Sequence, residues 1–265
     1  MPTIVVTGSA SGMGAATSTR LRAGGATVIG VDLHHAEVVA DLGTAEGRRD
    51  AIDGVTELSG GTLDGLVTFA GINSLPGRSA AAVVSVNYFG TVTLLDGLRP
   101  LLARGERPAA VAISSNSTTC SPGIPVELVE ACLAGDEAAA RAIAEPCHWG
   151  QPYPASKMAI ARWVRHHAVT PEWIGAGITL NAVAPGMIDT PMIEEGRRDP
   201  EVGPALDQFP IPAGRPGRPE ELAALVAFLL GPEARFFVGS LVFADGGTDA
   251  LCRPDDWPAP WLRRA

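Results

Sequence analysis

Two side chains one helical turn apart carry the sharpest chemical signal in the chain. Tyr153-Pro154-Ala155-Ser156-Lys157 sets a phenol and an ammonium at i and i+4. On a helix that spacing puts both on one face. An ammonium beside a phenol favours phenolate and would draw the tyrosine below its reference of about 10. A phenol tuned this way takes a proton from an alcohol or returns one to a ketone. Alone, the pair reads better as an exposed Tyr and a solvated Lys, so the other motifs decide. Ile113-Ser114-Ser115 closes an apolar run. A hydroxyl at a strand's carboxyl end can donate to a substrate oxygen and polarise a carbonyl. Asn87 falls inside a long apolar helix, where Asn is mildly unfavourable. It is read as holding a water that relays protons to Lys157; alone it is an ordinary hydrogen-bonding Asn.

A second constellation binds rather than reacts. Thr7-Gly8-Ser9-Ala10-Ser11-Gly12-Met13-Gly14 follows a first strand and opens a helix. Glycines in such a turn let the backbone approach a pyrophosphate, with the helix N-terminus facing it. Gly8, Ser11, Gly12, Met13 and Gly14 are the candidate contacts. Asp32 ends the second strand, and Leu33 follows it. A carboxylate there accepts from the adenosine ribose hydroxyls and repels a 2′-phosphate, so NAD is favoured over NADP. Without the glycines, Asp32 would be a solvated strand-end acid.

These residues need a scaffold. Apolar β-branched runs occur at Ile4–Thr7, Thr27–Val31, Leu63–Phe69, Ala109–Ser114, Ile178–Val183 and Leu241–Ala244. Helical patterns lie between them at Met13–Ala23, Ala51–Leu58, Ala80–Ala103, Pro154–Thr170 and Pro219–Leu230. The alternation predicts an α/β, doubly wound parallel sheet of Rossmann type, helices on both faces, in a single domain spanning 1–265. Residues 116–152 are long for a connection, and Glu127–Glu145 is rich in Ala, Glu and Leu. They read as a helical insertion ahead of the Tyr153 helix, and about 250–265 as a tail.

Composition narrows the partners. The 265 residues are 46% apolar, enough for a sheet covered on both sides, and the net charge of −9 argues against a nucleic-acid surface. The four cysteines form no CxxC pair and stand at no metal-ligand spacing from a histidine, so no metal site is expected and reduced thiols are. No apolar run reaches membrane-spanning length, and no cleavable leader opens the chain. A cytoplasmic protein without membrane or nucleic-acid partners is expected.

Together these residues resemble the short-chain dehydrogenase/reductase family, over nearly the whole chain. The resemblance implies a catalytic tetrad of Asn87, Ser115, Tyr153 and Lys157, with Ser115 preferred to Ser114 because the second Ser of such a pair usually serves. Lys157 would also hold the nicotinamide ribose. Thr7–Gly14 matches the cofactor loop. Asp41-Leu42 stands where the family has its adenine-contacting Asp. Ala70-Gly71 keeps half of the family's Asn-Asn-Ala-Gly, with Phe69 departing from it. Asn181–Gly186 and Thr190 match the nicotinamide loop, which implies roles for Pro185, Gly186, the Ile188 backbone and the Thr190 hydroxyl. Asp245-Gly246-Gly247 matches the closing segment. The long Ser115–Tyr153 gap is similar to the bacterial 3α-hydroxysteroid dehydrogenase/carbonyl reductase subgroup.

The expected activity is NAD(H)-dependent interconversion of a hydrophobic secondary alcohol and a ketone, a 3α-hydroxysteroid being one candidate. Ile72, Leu75, Met187, Ile188, Met192, Ile193 and Phe209 would wall an apolar pocket. Trp257 and Trp261 could cover it, seal a subunit contact or be loose. The alternatives are a dehydrogenase of another alicyclic or xenobiotic alcohol, an isomerase or dehydratase on the same fold, and an NAD(H)-sensing protein without turnover. The last would not need Ser115, Tyr153 and Lys157. A homo-oligomer is implied, with a dimer on the Pro219–Leu230 helix and the last strand favoured over a tetramer.

Overall fold

The computed structural model describes residues 1–259; Trp261 lies outside them. The strands are β1 (Thr3–Thr7), β2 (Thr27–Asp32), β3 (Val38–Val39), β4 (Gly65–Thr68), β5 (Ala109–Ile113), β6 (Thr179–Pro185) and β7 (Leu241–Ala244). They form one sheet in the order β3-β2-β1-β4-β5-β6-β7, every neighbouring pair parallel. β3 was not among the six apolar runs, because two residues are too few to show a pattern. Its register sets Val38 opposite Val31 and Val39 opposite Asp32, and Val38 is buried in the core. The strand order reverses beside β1, and a crevice opens at such a point above the carboxyl ends of the strands.

Alternate strand residues feed two separate cores, as a pleated sheet covered on both faces requires. Ile4, Val6, Val67, Val111 and Val183 pack with Leu21 of α1 (Gly12–Ala23) and with Leu222, Val226 and Leu229 of α11 (Pro219–Leu230). Val5, Leu66, Ala110, Ala112 and Ala182 join the larger core, with α2 (Ala45–Ser59), α4 (Gly90–Leu102) and α8 (Pro152–His167). α2 starts six residues earlier than its pattern suggests. Thr44 caps it, accepting from the Gly47 N–H at 3.0 Å.

The helix before β5 runs from Ala80 to Leu102, and its most apolar window has a mean hydropathy of 1.3, enough to cross a membrane by length and composition. Of that window 72% is buried inside the fold, so it is a core helix. It consists of α3 (Ala80–Val84), a π-helical turn at Ser85–Phe89, and α4. Such a turn often marks a functional position, and this one carries Asn87.

The 116–152 segment folds as α5 (Ser117–Cys120), α6 (Val126–Leu133) and α7 (Glu137–Ala144). Leu128, Val129, Cys132, Ala140 and Ala144 extend the larger core. Arg48, only 4% exposed, meets Glu137 at 2.7 Å, and Arg141 donates to Ser85 Oγ at 2.7 Å. The segment is therefore bolted to α2 and the π-turn as well as packed. Beyond β6 come α9 (Pro191–Arg198) and α10 (Gly203–Asp207), and after β7 the short α12 (Thr248–Cys252).

Candidate active site

The β1–α1 turn forms one side of a cleft of about 200 Å³ above the sheet. A Cβ on Gly14 would lie 2.0 Å from the Gly8 carbonyl oxygen, which no side chain can occupy. Gly8 (φ +67°) and Gly12 (φ +52°) take left-handed backbone. Ala70 donates its N–H to Thr7 Oγ1 at 3.0 Å, so the β1 threonine supplies a side-chain acceptor at the tip of β4. Asp32 sits at the far end of the cleft, its carboxylate accepting from the Ala10 N–H at 3.0 Å and the Leu33 N–H at 2.7 Å. Asp41 accepts from the Gly43 N–H at 2.8 Å and lines the same wall.

Gly8, Ser11, Gly12, Met13, Gly14, Asp32, Leu33, Asp41, Leu42, Ala70, Gly71 and Thr190 all line this cleft. The residues present fit an extended dinucleotide: a glycine floor closed to any Cβ, a helix N-terminus above it and a carboxylate at the ribose end. Val31, Ala40 and Val86 also line it, unmarked in the sequence because apolar cleft residues look like core residues, and so do Ile72 and Met192, expected in the substrate pocket.

A second cavity of about 280 Å³ adjoins the first. Ser115, Tyr153 and Gly186 face it, and Met192 is shared between the two. Leu75, Met187, Met192, Ile193 and Phe209 line it as expected. Ile72 lies in the cofactor cleft instead, and Ile188 turns into the α1/α11 core, pinned by a bridge to Gly217. Neither Pro185 nor Ile188 lines either cavity; the Thr190 hydroxyl donates to the Ile188 carbonyl at 3.2 Å. Trp149, Ser117 and Ser121 of the insertion complete one wall, and Val202 and Leu206 of the α9–α10 lid another. None of these five was marked by its local sequence.

The geometry separates the two serines. Ser114 is buried, and its hydroxyl donates to the Lys157 carbonyl at 2.9 Å. Ser115 faces the chamber together with Tyr153, and its hydroxyl accepts from the Ser117 N–H at 3.1 Å. Lys157 is 3% exposed. Its Nζ donates to the Ile113 carbonyl at 2.9 Å and sits 5.7 Å from the centre of the Tyr153 ring. Burial pushes the Lys157 ammonium down to about 8.

Burial also raises the Tyr153 phenol, against a lowering from the Ser115 hydrogen bond. The Lys157 ammonium is itself desolvated beside it, and the partner that lowers Tyr153 is Ser115. Asn87 is fully buried. Its carboxamide accepts from the Ile72 N–H at 2.8 Å and donates to the Ile72 carbonyl at 3.0 Å. A Cβ on Gly71 would lie 3.1 Å from Asn87 Oδ1, so a side chain there would press on Asn87.

The family model for short chain dehydrogenase matches residues 2–124, and that for enoyl-(acyl carrier protein) reductase matches residues 138–249. A 3-alpha-hydroxysteroid dehydrogenase/carbonyl reductase of Comamonas testosteroni is 42% identical over 96% of this chain and 99% of its own. The chain belongs to the short-chain dehydrogenase family. The crystal structure of the 3-alpha-hydroxysteroid dehydrogenase from Pseudomonas sp. B-0831, complexed with NADH, superposes with a TM-score of 0.92. It is 45% identical, covering 96% of this chain and 99% of that one. A cis-4-hydroxycyclohexanecarboxylate dehydrogenase of Sinomonas cyclohexanicum is 32% identical over 93% of this chain and 96% of its own. The chain is thus a short-chain dehydrogenase oxidoreductase, and its seven-stranded sheet is the family's Rossmann-type fold.

Proposed function

We propose that this dehydrogenase interconverts a hydrophobic secondary alcohol and its ketone with NAD(H), and that a 3α-hydroxysteroid/3-ketosteroid pair is its first substrate class. One observation carries the reading: Ser115 and Tyr153 both face the largely apolar chamber that adjoins the dinucleotide cleft. When bound, the nicotinamide supplies the hydride acceptor or donor. Asp32 favours NAD, since it can accept from the ribose hydroxyls and would repel a 2′-phosphate. Gly8, Gly12 and Gly14 let the backbone approach the pyrophosphate.

Ser115 and Tyr153 grip the substrate oxygen. Tyr153 takes the hydroxyl proton in oxidation and returns it in reduction. Lys157 places a titrating ammonium behind the phenol, and a cofactor-borne positive charge would add to its effect. Asn87 holds the Ile72 loop against Lys157. Among the described residues, the chamber wall contains Met187, Met192, Ile193, Leu206 and Phe209 and no charged side chain. It suits a neutral polycyclic ketone better than a carboxylate such as the substrate named for the Sinomonas relative.

A screen of secondary alcohols and ketones at 340 nm, with NAD and NADP, tests this. We expect NAD-linked turnover of 3α-hydroxysteroids and other bulky alicyclic alcohols. Activity confined to small polyols, or none with any alcohol, would overturn it. We also propose a dimer built on α11 and β7. β7 is the sheet edge, and Phe228 and Phe236 stand exposed nearby at 41% and 101%. Light scattering at the mass of a tetramer or a monomer would count against this.

A further inference from the structure

Cys120 and Cys252 are distant in sequence and meet in the fold. Cys120 ends α5, Cys252 ends α12, and the two short helices lie in contact. Cys120 and Cys252 thus close two helix ends that face each other, and the Cys252 thiol contributes to holding the Cys120 thiol above its ordinary range. The approach is enforced by polar contacts around it. Thr119, beside Cys120, donates its hydroxyl to Asp249 Oδ1 at 2.5 Å. Asp249 lies on the Cys252 face of α12, donates its own N–H to Asp245 Oδ2 at 2.6 Å and pairs with Arg253 at 2.5 Å. Asp249 is 9% exposed, so this clamp is largely shielded from water. Cys252 is exposed and Cys120 half-buried. The other two cysteines are placed differently: Cys132 is sealed in the core, and Cys147 donates to the Ile143 carbonyl at 3.2 Å.

We propose that Cys120 and Cys252 are a modification site, a dithiol that a hydroperoxide closes to an intramolecular disulfide beside the substrate chamber. The exposed Cys252 sulfur attacks the peroxide O–O bond, becoming a sulfenic acid while the peroxide leaves as an alcohol or water. The Cys120 sulfur then attacks the Cys252 sulfur. An S–S bond forms, the S–OH bond breaks, and the departing hydroxide takes the Cys120 proton as water. Two electrons pass from the two thiols to the peroxide.

Burial holds the Cys120 thiol up, to about 11, so it reacts as the resolving and not the initiating group, and closure speeds up as pH rises. The consequence falls on the chamber. Ser117 and Ser121, which flank Cys120 in the chain, both line it. The bond would pin the last helix to that wall.

The test oxidises the intact enzyme with stoichiometric hydrogen peroxide. Of four free thiols two should be lost, returning with dithiothreitol. Peptide mapping should give one cross-linked pair, two hydrogens lighter than the free peptides, joining Cys120 to Cys252. Phenylarsine oxide, which needs two adjacent sulfurs, should protect both from alkylation in the parent enzyme and neither in Cys120→Ser or Cys252→Ser. The disulfide should raise the thermal midpoint by about 5 °C and change the KM for a bulky ketone by about fivefold. Cofactor affinity should not change. Cys252 oxidised to sulfinic acid with Cys120 still alkylated would overturn the proposal. So would a disulfide between two chains, or one reaching Cys147.

Discussion

The cofactor cleft and the substrate chamber share a wall and the carboxyl ends of the same strands, but they are made of different material. The cleft is built from backbone. Its floor is a glycine turn in which one added carbon would collide at 2.0 Å, and its acidic end is held by two N–H donors. The chamber is built from side chains lent by separate segments: 73–75 after β4, the start and end of the insertion, and the α9–α10 lid. Polar ties close it. Asn73 donates to the Met192 carbonyl at 3.2 Å, Arg78 meets Glu195 at 2.6 Å, and Trp149 donates to Glu201 at 2.7 Å. A backbone site has few ways to change without losing its ligand. A side-chain site can be reshaped residue by residue while the sheet stays as it is.

The sharpest break between the two regions should come at the phenol on their border. Tyr153→Phe removes the proton path and leaves the cleft intact. kcat should fall about a thousandfold, while NADH binding, followed by fluorescence, stays within a factor of two. Loss of both together would mean that the two cavities do not function separately.

Lys157 gives a pH signature on the same border. Its ammonium is held to about 8 in the fold against 10.5 when unfolded. Between those values the unfolded chain binds a proton that the folded chain lacks, so folding through this residue becomes more favourable as pH rises. From pH 7.5 to 9.5 the gain is about 2 kcal/mol. The thiols of half-buried Cys120 and buried Cys132, also raised, pull the other way as the unfolded thiols ionise near 9. The readout is therefore the difference between the parent and Lys157→Met in urea titrations at the two pH values. Parallel stability curves would remove the desolvated ammonium from the account.

On the cofactor side, Asp32→Ala should shift the NAD/NADP preference by about 2 kcal/mol, roughly thirtyfold, through the two KM values. The KM for the ketone should hold. An unchanged preference would place coenzyme choice elsewhere, with Leu33 or the exposed His34 and His35 as the next residues to change.

The same difference in material explains what could be read in advance. Glycine spacing, a strand-end Asp and an i, i+4 Tyr–Lys pair are local, and each stands where its pattern put it. Asn87 was legible as an anomaly within an apolar helix, but not as the clamp on Ile72, because the π-turn that aims it has no sequence mark. The serine pair was resolved only by which hydroxyl faces the chamber. Nothing local shows that Val202 and Leu206 reach the chamber from the lid, or that Ile188 turns away from it. Such contacts depend on how α9 and α10 fold back over the sheet.

Trp149 offers the smallest effect and the finest cut. Its indole lines the chamber and its N–H ties the insertion to the lid through Glu201. Glu201 is exposed, so water competes for the bond and its loss costs about 1 kcal/mol. Trp149→Phe keeps the ring and removes the tie. The KM for a bulky ketone should rise two- to threefold with kcat unchanged. Trp149→Ala removes the ring as well and widens the mouth, so kcat/KM should move further and in favour of larger ketones. The KM for NAD should stay put in both, because no part of Trp149 lines the backbone-built cleft. If instead Phe and Ala behave alike, the hydrogen bond is what shapes the chamber, and the lid rather than the ring sets which ketones enter.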